Sequence, residues 1–255
     1  MISQRQKTEE NMEVRYEIEN MFNPGLINKQ VELDNKIQEF INIASHEMKT
    51  PIQAILTYSE LLQNNSDKSK PAYIKAILRN SLRLQKLSDN LLDITRIDSQ
   101  IMGLKKERFD LNALISWVVE DFRSQTENLE YEIGKIGIEF KPVGQIFVNA
   151  DKCRLEQVIS NLLGNALKFT QEGKVSILAE KKEDDVIVTI SDTGRGIKPE
   201  IIHRLFTKFF TLSNSGTGLG LYISKSIIGA HGGNMSARNN VSGLGASFTF
   251  EIPIH

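Results

Sequence analysis

A single cysteine, Cys153, stands in a chain of 255 residues, so no intrachain disulfide can form and nothing calls for an oxidising compartment. No apolar run approaches the roughly 20 residues that a bilayer-spanning helix requires, and the opening MISQRQKTEENMEV lacks the apolar stretch of a signal peptide. A cytoplasmic chain with no membrane contact of its own is expected. Any membrane anchor of a longer natural protein would lie in segments outside this sequence. Net charge is nearly absent: 31 basic against 32 acidic side chains leave a formal charge of −1, which gives no general attraction to nucleic acid. No nucleic-acid partner is expected. Also missing are a G-x-x-x-x-G-K-[ST] P-loop and the lysine, catalytic-loop and D-F-G set, two familiar ways of holding a nucleotide. Internal repeats and low-complexity segments are absent as well.

What is present is globular material, 40% hydrophobic and 25% charged, in a length that suits two ordinary domains. Residues 1–32 form a polar, helix-prone leading segment interrupted by the breaker Asn23-Pro24-Gly25. From Leu33 the apolar residues Ile37, Phe40 and Ala44 follow at spacings of four, three and four, the seam of a bundle helix that runs into the fifties. Pro51 should kink that helix or shift its hydrogen bonds. NNSDKSK at 64–70 has loop composition, and Pro71 suits the first turn of a second helix. There Ile74, Ile77, Ser81, Leu84, Ser88, Leu91 and Thr95 repeat in threes and fours, widened by Leu78, Leu87, Leu92 and Ile94. One antiparallel hairpin cannot bury stripes this wide, so residues 33–101 are expected to pair with a second copy as a four-helix bundle in a homodimer.

Beyond a hinge at Met102-Gly103 the pattern becomes mixed, and residues 104–255 read as a second domain. KERFD and IGIEF read as strands on either side of an amphipathic helix over 111–128. KVSILAE and DDVIVTISD form a hairpin around EKKEDD, and GASFTFEIPI is a last strand. The expected class is an α+β sandwich, a mixed sheet with helices on one face.

Three segments of this domain suggest chemistry. On the helix 153–169 the side chains Leu155, Val158, Ile159, Leu162, Leu163, Ala166 and Phe169 make one apolar stripe, while Gln157, Asn161, Asn165 and Lys168 line another. Simple solvation is the ordinary use of such a polar stripe. DTGRGI at 192–197 follows directly on a strand, and its glycines allow close backbone approach while Asp192 offers a fixed acceptor that suits a purine's exocyclic amine. GTGLGL at 216–221 opens a helix whose free amides and dipole favour phosphate.

Together with SHEMKTP around His46, these segments resemble a sensor histidine kinase of a two-component system over residues 33–255. SHEMKTP is similar to the family's H-box, RLEQVISNLLGNALKFT to its N-box, DTGRGI and GTGLGL to its first two glycine boxes, RLFTKFF to its phenylalanine box, and VSGLGASFTF to its closing glycine box. The resemblance implies a dimerisation and histidine-phosphotransfer hairpin followed by a GHKL-type ATPase domain. It further implies ATP and Mg2+ as cofactors and the receiver domain of a response regulator as partner.

Position by position, the resemblance makes His46 the phosphoryl acceptor, with Glu47 orienting its ring or taking a proton, and Asn165 the Mg2+ ligand with Asn161 beside it. Lys168 would pair with phosphate and Asp192 with the adenine amine. Gly194 and Gly196 would admit the nucleotide, and Gly216, Thr217, Gly218, Leu219 and Gly220 would shape the lid and phosphate loop. Phe206 and Phe209 would buttress that lid. Thr50, one helical turn after His46, completes an E-x-x-T pattern that implies a regulator phosphatase activity. His203, His231 and His255 match no box and read as structural or surface residues. Two departures stand out: TLSNS at 211–215 is shorter than the family's usual lid, and Met48-Lys49 replaces Leu-Arg. Competing readings are another GHKL ATPase that works as a clamp, which needs no H-box, and a dimeric nucleotide-binding scaffold without turnover.

Overall fold

A computed structural model describes residues 24–64, 69–99, 102–128, 136–211, 217–241 and 243–255. The expected leading segment up to residue 23 lies outside them. Helix α1 (Pro24–Asn64) starts at the proline of the expected breaker, because a fixed φ and a missing N–H suit a first turn. It continues through Pro51, so the loss of one backbone donor there does not end the helix. Helix α2 (Lys70–Asp98) opens on the Ser69 carbonyl, which accepts from Ala72 and Tyr73 N–H at 3.0 and 3.2 Å.

The chain divides into two compact units, one up to Leu84 and one from Gln85. In the first, α1 and the start of α2 run antiparallel, pinned by the Arg83–Glu47 ion pair at 3.1 Å and by Tyr58 against Tyr73, with ring centroids 5.8 Å apart. Its apolar side chains are only partly used. Ile41, Met48, Ile52 and Leu56 of α1 and Ile74, Leu78 and Leu82 of α2 stay exposed, at spacings that put each set along a helix face.

The second unit begins with the end of α2, because buried Asp93 accepts from Arg154 at 2.7 Å and from Gln157 at 2.8 Å, and Asp98 accepts from Lys208. Its elements are β1 (Glu107–Asp110), α3 (Leu111–Asn128), β2 (Ile136–Phe140), β3 (Phe147–Ala150), α4 (Lys152–Phe169), β4 (Gly173–Lys182), β5 (Asp185–Asp192), a 3-10 turn (Pro199–Arg204), α5 (Gly220–Ala230), β6 (Asn234–Asn239) and β7 (Ala246–Pro253). A five-stranded sheet has the order β2-β4-β5-β7-β6, parallel between β2 and β4 and antiparallel elsewhere. Alternation decides its faces. Val186, Val188 and Ile190 of β5 and Phe250 and Ile252 of β7 are buried, together with Leu155, Ile159, Leu162 and Leu163 of α4 and Ile223, Ile227 and Ile228 of α5. Each such side chain contributes about 1.5–3 kcal/mol when removed from water, which is what fixes the register of α4 and α5 on this sheet. The mixed sheet with helices on one face is as expected. The strand over KERFD, however, leaves the main sheet and pairs with β3 as a separate two-stranded ribbon.

His231 closes the core where α5 meets the start of α4. Its Nε2 accepts from Asp151 N–H at 3.0 Å and its Nδ1 donates to the Ile227 carbonyl at 2.8 Å, so both ring nitrogens are used by the neutral imidazole. Burial first, and the charge of Lys106 second, hold its pKa below the ordinary 6.5, against the Ile227 hydrogen bond and Asp151, which raise it. The unfolded chain therefore binds a proton that the native ring resists. Stability from this source is complete above the ordinary histidine pKa and is lost as pH falls through the lower folded value, with a limiting slope of about 1.4 kcal/mol per pH unit. Urea unfolding between pH 7.5 and 5.5 should show this loss, and His231→Gln should flatten it. An unchanged pH slope would refute the assignment.

Candidate functional site

Helix α4 is aimed by its first residue. Asp151 caps it, with Oδ1 accepting from Arg154 N–H at 3.1 Å and Oδ2 from Lys105 N–H at 2.9 Å. Because the apolar stripe of α4 faces the sheet, the opposite stripe is forced towards the far side. The four polar residues of that stripe then separate into two uses. Gln157 is taken up by Asp93 and Arg154 near the start of the helix. Asn161 and Asn165 remain half-buried further along. Asn161 Nδ2 donates to Ser224 Oγ of α5 at 3.0 Å, and its Oδ1 lies where a Cβ on Gly220 would come within 2.2 Å. A side chain at position 220 would have to displace the Asn161 amide from this place. Asn165 makes no side-chain hydrogen bond among the described residues, leaving both its amide groups for a ligand. Lys168 is exposed, with Nζ 5.8 Å from the ring centroid of Phe169.

Asp192 ends β5. Its buried carboxylate receives Gly194 N–H at 2.9 Å and Ala246 N–H at 3.2 Å, both on Oδ1, so Oδ2 has no partner among the described residues. Burial raises its pKa above the ordinary 3.8, and the two N–H donors pull it part of the way back. A half-dressed carboxylate in a poorly solvated place is a strong acceptor for an amine. The loop that follows carries Gly194 and Gly196, and Arg195 stands 4.8 Å from the ring of Phe169. Arg195 was not among the expected site residues, although it sits inside DTGRGI; with Lys168 it gives Phe169 two cationic neighbours.

The third segment begins α5. Thr217 Oγ1 accepts from Leu219 N–H at 3.3 Å, and the first turn of α5 has no side-chain cap, which leaves backbone N–H groups available. Leu219 itself is buried, so only its backbone can face a ligand. Gly218 has φ of +66° and packs on the backbone of Phe209, which itself has φ of +63°. Phe209 thus carries backbone strain where Gly218 packs on it. Gly216 and residues 212–215, which include most of the short expected lid, lie outside the described residues.

In the helical hairpin, His46 is exposed and its imidazole makes no hydrogen bond among the described residues. Thr50 Oγ1 donates to the His46 carbonyl at 3.4 Å, a long contact. Glu47 is held by Arg83, a partner that local spacing did not suggest.

Two family models match the chain: the His Kinase A (phospho-acceptor) domain over residues 36–100, and the histidine kinase-, DNA gyrase B- and HSP90-like ATPase over residues 150–255. Phospho-acceptor hairpin and ATPase domain in this order decide the matter. The chain belongs to the sensor histidine kinases.

Sensor protein SrrB of Staphylococcus aureus (strain N315) is 32% identical over 232 residues, covering 87% of this chain and 39% of the relative. The chain thus spans about two fifths of the length of that sensor protein. Among solved structures, full-length histidine kinase ShkA in complex with AMPPNP is similar at a TM-score of 0.62 with 29% identity, over 84% of this chain and 45% of that one. Histidine kinase ThkA in complex with response regulator protein TrrA is similar at a TM-score of 0.63 with 27% identity, over 94% of this chain and 66% of that one. A clamp ATPase without a phospho-acceptor hairpin does not account for the first domain match.

Proposed function

We propose that this sensor kinase chain transfers the γ-phosphoryl group of Mg-ATP to His46 and passes it to an aspartate of a response regulator. The observation that carries the reading is that, among the described residues, the exposed His46 imidazole makes no hydrogen bond, while in the second domain Asp192 Oδ2 and the Asn165 amide have no partner and the start of α5 has no side-chain cap. Asp192 accepts the adenine amine, α5 and Lys168 hold phosphate, and Gly194, Gly196 and Gly220 let the segments that line the nucleotide pack closely on Phe169, Asn239 and Asn161. The Asn165 carbonyl is a hard oxygen donor of the kind Mg2+ prefers, and phosphates and water would complete the octahedron. When bound there, the ion would neutralise charge on the triphosphate. A ring nitrogen of neutral His46 attacks the γ-phosphorus, the bond to the bridging oxygen breaks, ADP leaves, and Glu47 accepts the proton from the other ring nitrogen once released from Arg83.

Incubation with γ-labelled ATP should give a protein adduct that is labile in acid and stable in base. An acid-stable adduct, or none, defeats the reading. The exposed faces formed by Ile41, Met48, Ile52 and Leu56 and by Ile74, Leu78 and Leu82 support a homodimer that joins two hairpins into a four-helix bundle. The ThkA–TrrA complex supports a receiver domain as the second partner. Thr50 would position the water that hydrolyses the regulator's phosphoaspartate. Thr50→Ala should slow regulator dephosphorylation about tenfold or more, the scale of one lost positioning group, while sparing autophosphorylation. Unaltered dephosphorylation would remove Thr50 from that role.

A further inference from the structure

The loop from Asp192 to Ile197 has few backbone anchors of its own. Thr193 N–H reaches the Lys174 carbonyl at 3.1 Å, but no described backbone group pairs with residues 195–197. Two neighbouring asparagines at the end of β6 take over this task. Asn239 meets Ile197 as another strand would, its Oδ1 accepting from Ile197 N–H at 2.7 Å and its Nδ2 donating to the Ile197 carbonyl at 2.7 Å. Asn240 reaches the other end, where Nδ2 donates to the Asp192 carbonyl at 2.8 Å and to the Leu244 carbonyl at 2.9 Å.

Asn240 is itself held. Its Oδ1 accepts from Ser247 Oγ at 2.6 Å, and Ser247 lies 2.6 Å from Ser191 Oγ across the β5–β7 ladder. Its backbone closes a turn in which Asn240 N–H meets the Gly245 carbonyl at 3.1 Å. Gly245 then lies flat against Asp192: a Cβ there would come within 1.8 Å of the Asp192 carbonyl oxygen. The next residue, Ala246, donates to Asp192 Oδ1. Main chain and carboxylate of Asp192 are thus gripped by one turn, with Asn240 on the carbonyl and Ala246 on the acid.

We propose that Asn240, supported by Asn239 at the far end of the loop, is a positioning residue that aims the free oxygen of Asp192 and so sets the preference for a purine bearing a 6-amino group over one bearing a 6-keto group. The proposal rests on the adenine role given to Asp192 above. An amide is required because it must donate to the Asp192 and Leu244 carbonyls while accepting from Ser247, which neither a carboxylate nor an apolar side chain does. Packing of the sheet does not depend on it, since Val188, Ile190 and Phe250 form the ladder's buried face independently. What Asn240 controls is direction, and an acceptor that is turned away loses its advantage for an amine without losing the phosphate contacts.

Titration calorimetry of the full chain with Mg-ATP and with Mg-inosine triphosphate separates the possibilities. Asn240→Ala should weaken ATP about five- to tenfold and leave inosine triphosphate within about twofold, so that the selectivity ratio collapses. Asn240→Asp keeps the acceptor for Ser247 but loses the donor to Asp192, and should lower the ratio in the same direction. It serves where the alanine variant is poorly folded by circular dichroism. Equal weakening of both nucleotides, or an unchanged ratio in a folded variant, overturns the proposal. Asp192→Asn is the reference: if it leaves the ratio intact, the adenine role of Asp192 has failed, and if it collapses the ratio while Asn240→Asp does not, only the positioning role falls.

Discussion

His46→Gln leaves nucleotide binding intact and removes all acid-labile label from the protein. The glutamine amide keeps the length and polarity of the side chain but has no nitrogen lone pair to attack phosphorus. His46 is exposed and unengaged among the described residues, so the substitution disturbs no packing. Binding by calorimetry and labelling by γ-labelled ATP should therefore separate completely. Equal labelling of wild type and variant would place the acceptor elsewhere, and His203, exposed on the 3-10 turn, would be the next to test.

Asn165→Asp should cost nearly as much by a different route. The amide has no protein partner to lose among the described residues, so its replacement by a carboxylate acts on the ligand and hardly on the fold. A negative charge beside the triphosphate changes both metal coordination and phosphate repulsion. Mg-dependent labelling should fall about a hundredfold, the scale on which removal of one charge-stabilising group acts. Full retention of labelling would exclude Asn165 from the metal site. Mixing this variant with His46→Gln adds a test of assembly: if subunits exchange, restored label means that nucleotide held by one subunit serves the histidine of its partner. No restoration despite demonstrated exchange would instead mean transfer within a subunit.

Much of this was legible in the chain. The periods of three and four in α1 and α2, the helix over 111–128 and the strands IGIEF and DDVIVTISD follow from local alternation of apolar and polar side chains, which acts over a few residues. The candidate residues His46, Asn165 and Asp192 lie in short motifs whose roles came from their resemblance to the family's boxes and not from alternation. Elements with little such pattern escaped. β6 reads NMSARN and buries only Met235 and part of Ala237, and β3 has four residues, FVNA. Neither presents enough alternation to stand out from a loop, yet β6 carries Asn239 and leads into Asn240.

By itself the sequence determined the kinds of chemical group available and their order: an imidazole on one helix, amides along another, an acid at a strand end and glycines before a helix. It also determined which faces are apolar. Only the tertiary structure decided what those groups meet. Asp192 finds Ala246 and Asn240 at separations of 54 and 48 residues, Glu47 finds Arg83 at 36, and Asp151 finds His231 at 80. Such meetings depend on the strand order β2-β4-β5-β7-β6 and on its register, which sets Ser191 opposite Ser247. Register is chosen by burying one whole face of the sheet at once, a cooperative outcome of many side chains, so no short stretch of residues can announce which distant backbone its acid or amide will grip.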